Sequence, residues 1–500
     1  MDSTLPSNNS NPHFVFIPFM TPGHLLPMVD MAKLLARRNV KVTIITTPLN
    51  SIQFQATIER EIQSGSPIQI ELVPFPNAES GIPEGCESVD TLPSMDLAVN
   101  FYRALILLKK PLQEVYEKLT PTPSCIISDK IITCVADIAD KFKVPRILFD
   151  GTNCFHLLCN HYLHVTKAYE AISSKDKFLL PGIPDRIELR RSQLPGIFNP
   201  GKNPEWNHYR QQVKESEGRS YGVVVNSFED LEGVYVKEYE RVTGLKVWCI
   251  GPVSLSNQDN LDRALRSKRY SNQEDEDGNK YLKWLDSWPS RSVIYVCLGS
   301  LTRATTEQLI ELGLGLEATN RPFIWVIKGA YKREEMETWL LENGFEERVK
   351  ERGILIKGWA PQVLILNHEA IGAFLTHCGW NSTLEGISAG VPLVTFPFFA
   401  EQFYNEKVVV QLVECGVSVG AESVVHLGEE DECVVQVSRE NVKDGIEKVM
   451  GEGEECDKIR ERAREYGTMA KRAIQQGGSS YCNMTRLIEE IKRLKLSHNS

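Results

Sequence analysis

Short runs of β-branched and aromatic residues alternate with longer amphipathic stretches along almost the whole chain, and this alternation restricts the fold more than any other feature. The strand candidates are His13–Phe19, Lys41–Thr47, Ser124–Asp129, Val144–Phe149 and Tyr221–Ser227. A second series comprises Ser292–Gly299, Pro322–Lys328, Gly353–Lys357, Ala370–Thr376 and Val391–Pro397. Several are continuous apolar runs rather than alternating ones, as expected where both faces of a parallel sheet are covered. Helical patterns over Leu26–Arg38, Thr305–Ala318, Arg439–Met450 and Cys456–Ile474 lie among them. Such alternation predicts doubly wound α/β units.

A chain of 500 residues is too long for one core, given about 100–200 residues per domain. Composition turns polar and charged between Ser254 and Lys280, which places a linker there. The expected division is therefore an N-terminal unit over 1–253, a linker over 254–280 and a C-terminal unit over 281–470. The acidic run GEEDE makes Gly416–Val437 read as a surface excursion. A net charge of −10 lacks the basic footprint of a nucleic-acid binder. The opening MDSTLPSNNSNP has no signal-peptide pattern, and no apolar run approaches the roughly 20 residues of a membrane span. Twelve scattered cysteines without a CxxC pair argue for reduced thiols in the cytoplasm and against a structural zinc site.

Ligands of open α/β sheets bind beyond the carboxyl ends of the strands, so the residues there carry the functional reading. The first strand ends in PFMTPGHLLP, which brings His24 to that edge as a base able to work near neutral pH, or as a polar turn residue. Asp129 ends another strand; it can orient an imidazole and stabilise its protonated form, or cap a helix. In VCLGSLTR, Gly299 and Ser300 stand between a strand and a helix whose free N–H groups suit a phosphate. The densest polar and aromatic segment runs from Trp359 to Gln402. There His377, Asn381 and Ser382 surround a helix start suited to a diphosphate, Glu385 suits ribose hydroxyls, Glu401 and Gln402 suit sugar hydroxyls, and Trp359 offers a stacking face.

Other chemistries fit less well. ELGLGLE, with Gly313 and Gly315, lies inside a helical pattern and lacks the third glycine of a dinucleotide fingerprint. His368–Glu369 starts a zinc-protease-like run whose fifth residue is Gly372. The acidic triplet Asp275–Glu276–Asp277, a candidate metal pair, falls in the polar linker.

The segment Trp359–Gln402 resembles the signature of plant secondary-product UDP-glycosyltransferases, and the likeness extends through PFMTPGHLLPMVDMAKLL, CIISD and VCLGSLTR. The resemblance implies the GT-B fold, two Rossmann-like domains facing across a cleft. It also implies that 471–500 crosses back to the first domain, since MTRLIEEIKRLKL is similar to the family's C-terminal helix. On the same resemblance His24 is the general base and Asp129 its orienting partner. Trp359 stacks on uracil, and the Ala360 backbone with Gln362 reads the base edge. Ser300, His377, Asn381 and Ser382 hold the diphosphate, Glu385 the ribose, and Trp380, Glu401 and Gln402 the sugar. Many members have Asp where this chain has Glu401. Gln402 with Trp380 favours UDP-glucose as co-substrate, with no metal or other cofactor. The finer likeness points to the plant group acting on triterpenoid sapogenins, steroids and flavonoids. The expected enzyme is an inverting monomer acting on a lipophilic acceptor, a triterpenoid sapogenin first and a flavonoid or plant hormone otherwise; UDP-galactose and UDP-xylose are the alternative donors.

Overall fold

The computed structural model describes residues 11–257, 276–328, 332–426 and 428–498. Its strands, in chain order, are β1 (His13–Ile17), β2 (Lys41–Thr46), β3 (Ile68–Leu72), β4 (Cys125–Asp129), β5 (Arg146–Asp150), β6 (Lys177–Leu179), β7 (Glu188–Arg190), β8 (Gly222–Val225) and β9 (Lys246–Cys249). Then come β10 (Val293–Cys297), β11 (Phe323–Val326), β12 (Gly353–Ile356), β13 (Ile371–Thr376), β14 (Leu393–Thr395) and β15 (Gly416–Ser418). They form a seven-stranded sheet, β3-β2-β1-β4-β5-β8-β9, a six-stranded sheet, β12-β11-β10-β13-β14-β15, and the hairpin β6-β7. Every pairing in the two large sheets is parallel. β1, β4 and β5 are buried at every residue, which explains their unbroken apolar character.

Strand order reverses at two places: β1 pairs with both β2 and β4, and β10 pairs with both β11 and β13. Crevices at such switch points are where doubly wound sheets take their ligands. His24 follows β1 and Asp129 ends β4, while Ser300 follows β10 and His377 follows β13. The topology thus selects the residues that the sequence placed at strand ends.

Several elements differ from the sequence expectation, each for a local reason. The first helix is Pro22–Ala36, starting four residues early because Pro22 sits at its first turn, where a fixed φ is pre-organised and the missing N–H costs nothing. His24 is therefore on the helix's first turn. The glycines of ELGLGLE lie within the helix Thr306–Ala318 and admit close packing: a Cβ at Gly313 would lie 2.9 Å from Trp325, and one at Gly315 2.7 Å from Val442.

Most of the polar stretch, residues 258–275 with Asp275 among them, lies outside the described residues. Its first residues are buried rather than solvated. Asn257 accepts from the buried Lys33 ammonium at 2.8 Å and donates to Asp30 at 2.9 Å, which fastens it to the first helix. The stretch Gly416–Val437 is likewise no free excursion. It opens with the edge strand β15, Val419, Ala421, Val425 and Val437 are buried, and Glu430 is buried beside Arg303 at 3.2 Å. Positive partners, including Lys202 for Glu432 and Lys332 for Asp431, allow the acidic run to pack.

The final helix, Ser479–His498, inserts Met484, Leu487, Ile488 and Ile491 into the apolar cluster that holds Phe14, Trp248 and Ile250 of the first sheet. Asn483 donates to the Cys249 carbonyl at 3.0 Å. The largest apolar cluster runs from Leu148, Phe155 and Val223 on one side to Tyr295, Phe374 and Tyr404 on the other. Both sheets therefore contribute to this cluster, while two smaller ones belong to the first sheet. No helix among the described residues is long and apolar enough to cross a membrane.

Candidate active site

A cavity of about 280 Å³ opens between the carboxyl ends of the two sheets. It is lined by His24 from the N-terminal side and by Ser300, Trp359, Ala360, Gln362, His377, Trp380, Asn381, Ser382, Glu385, Glu401 and Gln402 from the C-terminal side. Of the residues expected at the site, only Asp129 is not on this wall. It lies fully buried behind His24, its Oδ2 2.6 Å from the ring's Nδ1.

The His24–Asp129 pair is held from several sides. Asp129 Oδ1 accepts from the Ile131 N–H at 2.9 Å, so the carboxylate both caps its own turn and orients the histidine. Phe19 packs edge-on to the imidazole at 5.4 Å. Gly151 abuts the ring so closely that a Cβ there would lie 2.7 Å from Cε1, so only glycine fits. Burial alone would lower the His24 pKa. The charge and hydrogen bond of Asp129, with Asp150 and Glu401 adding, outweigh it and leave the pKa above the ordinary 6.5. With Nδ1–H donating to Asp129, Nε2 is the atom left to accept a proton.

The opposite wall is built on β10 and β13. His377 follows β13, and burial pushes its pKa down to about 4 against the opposing Cys297 carbonyl, so the ring is neutral at pH 7. It lies between two glycines: a Cβ at Gly299 or at Gly379 would come within 2.4 Å of its Nε2. Gly379 is also the N-cap of the helix Trp380–Ala389, without a side-chain cap. The first-turn N–H groups have no intrahelical acceptor, which suits an anion. The helix after Ser300 contributes less than expected. It begins only at Thr306, and Thr305 caps it by accepting from the Gln308 N–H at 3.3 Å.

Some side chains have more constrained roles than the sequence suggested. The Gln362 amide donates to Ser382 Oγ at 3.0 Å and to Glu385 Oε2 at 2.8 Å, so it fixes the carboxylate as well as facing the cavity. Trp380 spends its only donor on the Asn226 carbonyl at 2.7 Å, leaving the ring surface for contact with a ligand. The Gln402 oxygen accepts from the Phe398 and Phe399 N–H groups, so its NH₂ remains to donate. The Lys328 ammonium lies 3.5 Å from the centre of the half-buried Trp359 ring. Burial, reinforced by Asp150, raises the Glu401 pKa.

Sequence reasoning missed the hydrogen bonds that join the two walls, and with them Asn226, Asn153 and Asn405. Asn381 donates to the Gly23 carbonyl beside His24, and Asn226 donates to Asn381 at 3.3 Å. Farther along, Asn153 donates to Asn405 at 2.6 Å, and Asn405 to the Cys378 carbonyl at 2.8 Å. Val89, Leu92, Pro93 and Met95 line a second cavity of about 630 Å³ that shares Ser300, Leu301, Lys328 and Gly358 with the first. Leu158, Leu189, Leu194 and Phe198 are instead packed into the core. Among the described residues no group of three or more His, Cys, Asp or Glu could hold a metal ion.

Residues 13–255 match the family model "Glycosyltransferase, N-terminal domain", and residues 268–431 match "UDP-glucoronosyl and UDP-glucosyl transferase". UDP-glycosyltransferase 73C11 of Barbarea vulgaris is 48% identical over 490 residues, covering 97% of this chain and 98% of that protein. UDP-glycosyltransferase 73C2 of Arabidopsis thaliana is 48% identical over 481 residues, 96% of each. The crystal structure of Glycyrrhiza uralensis UGT73P12 complexed with glycyrrhetinic acid 3-O-monoglucuronide superposes with a TM-score of 0.90 at 37% identity, covering 98% of this chain and 97% of that one. Medicago truncatula UGT71G1 complexed with UDP-glucose superposes with a TM-score of 0.77 at 25% identity, covering 98% and 100%. The fold is GT-B, and near-half identity along almost its full length shows that the chain belongs to the plant UDP-glycosyltransferases, enzymes that transfer a glycosyl group from a UDP-sugar.

Proposed function

We propose that the chain is an inverting, metal-independent glucosyltransferase that moves glucose from UDP-glucose to a hydroxyl of a lipophilic plant metabolite, first among them a triterpenoid sapogenin. The observation that carries this reading is the oriented His24–Asp129 pair on the wall of the cavity whose other wall is the Trp359–Gln402 cradle. The acceptor oxygen attacks the anomeric carbon as its proton passes to His24 Nε2, and the bond from that carbon to the diphosphate breaks on the opposite face. Asp129 stabilises the imidazolium that forms. The departing diphosphate meets the N-terminal turn of Trp380–Ala389 and the neutral His377, groups pre-arranged for developing charge. Trp359 stacks on the base, Glu385 takes the ribose, and Glu401 with the Gln402 NH₂ takes the sugar.

In this reading the unit over 1–253 binds the acceptor, 281–470 binds the donor, and 471–500 ties the two together. Gln402 supports glucose through the family resemblance. A triterpenoid acceptor is supported by UGT73P12, whose structure holds a glycoside of glycyrrhetinic acid, a triterpenoid. The free state of all twelve cysteines fits a reducing compartment such as the cytoplasm.

Incubation with UDP-glucose and a panel of sapogenins, flavonols and plant hormones, followed by mass spectrometry, tests the reading. A sapogenin gaining one hexosyl unit is the expected product. Transfer to flavonols alone, or transfer only from UDP-galactose or UDP-xylose, would replace the finer assignment. pH offers a second check. His24 acts as a base only when unprotonated, so with its pKa raised the rate falls on the acid side with a midpoint above 6.5. Asp129→Asn removes the charge that favours the imidazolium. The midpoint therefore moves to lower pH while the plateau of kcat/KM drops by about 10-fold or more, within the span usual for base catalysis.

A further inference from the structure

The turn after β5 carries a buried ion pair for which the mechanism above has no use. Asp129 of β4 lies opposite Phe149 of β5, so the next residues, Lys130 just past β4 and Asp150 at the end of β5, lie side by side at the sheet's edge. The Lys130 N–H donates to the Phe149 carbonyl at 3.2 Å, and its ammonium binds Asp150 Oδ2. Asp150 is 2% exposed, and its Oδ1 has no hydrogen-bond partner among the described residues. The following residue is Gly151, whose backbone forms the surface against which the His24 ring rests. The ion pair thus joins the strand end that holds Asp129 to the turn that supports the other side of the imidazole.

We propose that Asp150, clamped by Lys130, is a second positioning carboxylate for His24: it fixes the Gly151 wall and adds a negative charge that favours the imidazolium formed during glycosyl transfer. This rests on the reading of His24 as the base. The groups around Asp150 are Lys130 at the end of β4, His24 on the first helix, His156 on the helix Cys154–Thr166, Tyr239 on the helix Glu229–Thr243 and Glu401 beyond β14. His156 carries no competing positive charge at pH 7, because burial pushes its pKa down to about 3. Asp150 stays ionised: burial opposes its charge, but Lys130 outweighs that and lowers its pKa. The Asp150 carboxylate, partly offset by the Lys130 ammonium it binds, thus adds to Asp129 in favouring the His24 imidazolium.

Asp150→Asn tests this through the pH profile of kcat/KM, measured beside the parent chain. The acid limb should move to lower pH by roughly half a unit to one unit, as when an opposite charge is taken from a neighbour. The plateau kcat should fall about three- to tenfold with the weaker base, and KM for UDP-glucose should hold. Because Asp150→Asn leaves Lys130 without its partner, the double variant Lys130→Gln/Asp150→Asn is measured as well. It keeps a neutral hydrogen bond between the turns, and it decides the matter should the single variant not fold. In the folded double variant, which also loses the opposing ammonium, a smaller downward shift supports the proposal, whereas an acid limb that stays in place in both variants overturns it even if the rate is reduced. Full activity of His24→Ala would instead refute the base assignment, so the two failures are told apart.

Discussion

Purified His24→Ala protein is expected to form glycoside about 10²–10⁴-fold more slowly than the parent chain, the range typical for loss of a positioned base. The size of the effect follows from the geometry. Nδ1 is committed to Asp129, so Nε2 is the one ring atom able to take the acceptor's proton. Affinity for UDP, read by calorimetry, should hold, because the donor cradle lies on the other wall. The fold should hold too, since alanine is well tolerated on a helix's first turn and the ring is partly exposed. Turnover close to that of the parent would falsify the base assignment. A large loss of UDP binding would show that His24 acts on the donor instead.

The second large effect is expected at Gly299→Ala, on the opposite wall. Gly299 has φ +81°, and a side chain there would press within 2.4 Å of His377 Nε2. Two costs combine. Positive φ strains an L-residue by about 1–3 kcal/mol, and the displaced His377 loses the place beside the diphosphate that the proposed mechanism gives it. A hydrogen bond to a charged group contributes about 1.5–3 kcal/mol, so KM for the UDP-sugar should rise roughly 10- to 150-fold. Gly65→Ala separates the two costs: Gly65 also has positive φ, at +90°, but nothing lies within 4 Å of its would-be Cβ. That variant should lose stability and keep its donor KM. An equal rise in donor KM for both variants would mean that strain, not the His377 cradle, is what Gly299→Ala disturbs.

The strand-end rule made much of this site readable before any coordinates. β1, β4, β10 and β13 are long apolar runs with a polar turn behind each; the turns after β1, β10 and β13 meet in the cavity, and Asp129 at the end of β4 backs His24 from behind it. The strands left unplaced are short or lie at edges. β3 reads IQIEL and is half exposed, and β15 has only three residues. Their periodicity is too brief to stand out from loop sequence. The contacts between the walls were hidden for another reason. Trp380 finds Asn226 across 154 residues, and Asn153 finds Asn405 across 252. An asparagine reads as a turn former until the partner that fixes it is known. Asp150 and Gly151 were equally silent, because an Asp-Gly pair after a strand is an ordinary way to end one.

The apolar cluster that continues from Phe155 of one half into Tyr404 of the other bears on how the molecule gains its shape. Along this seam each half covers aromatic surface of the other, although the first sheet also has buried clusters of its own. Parting the halves would bare that aromatic surface to water, so the seam adds to the stability of both.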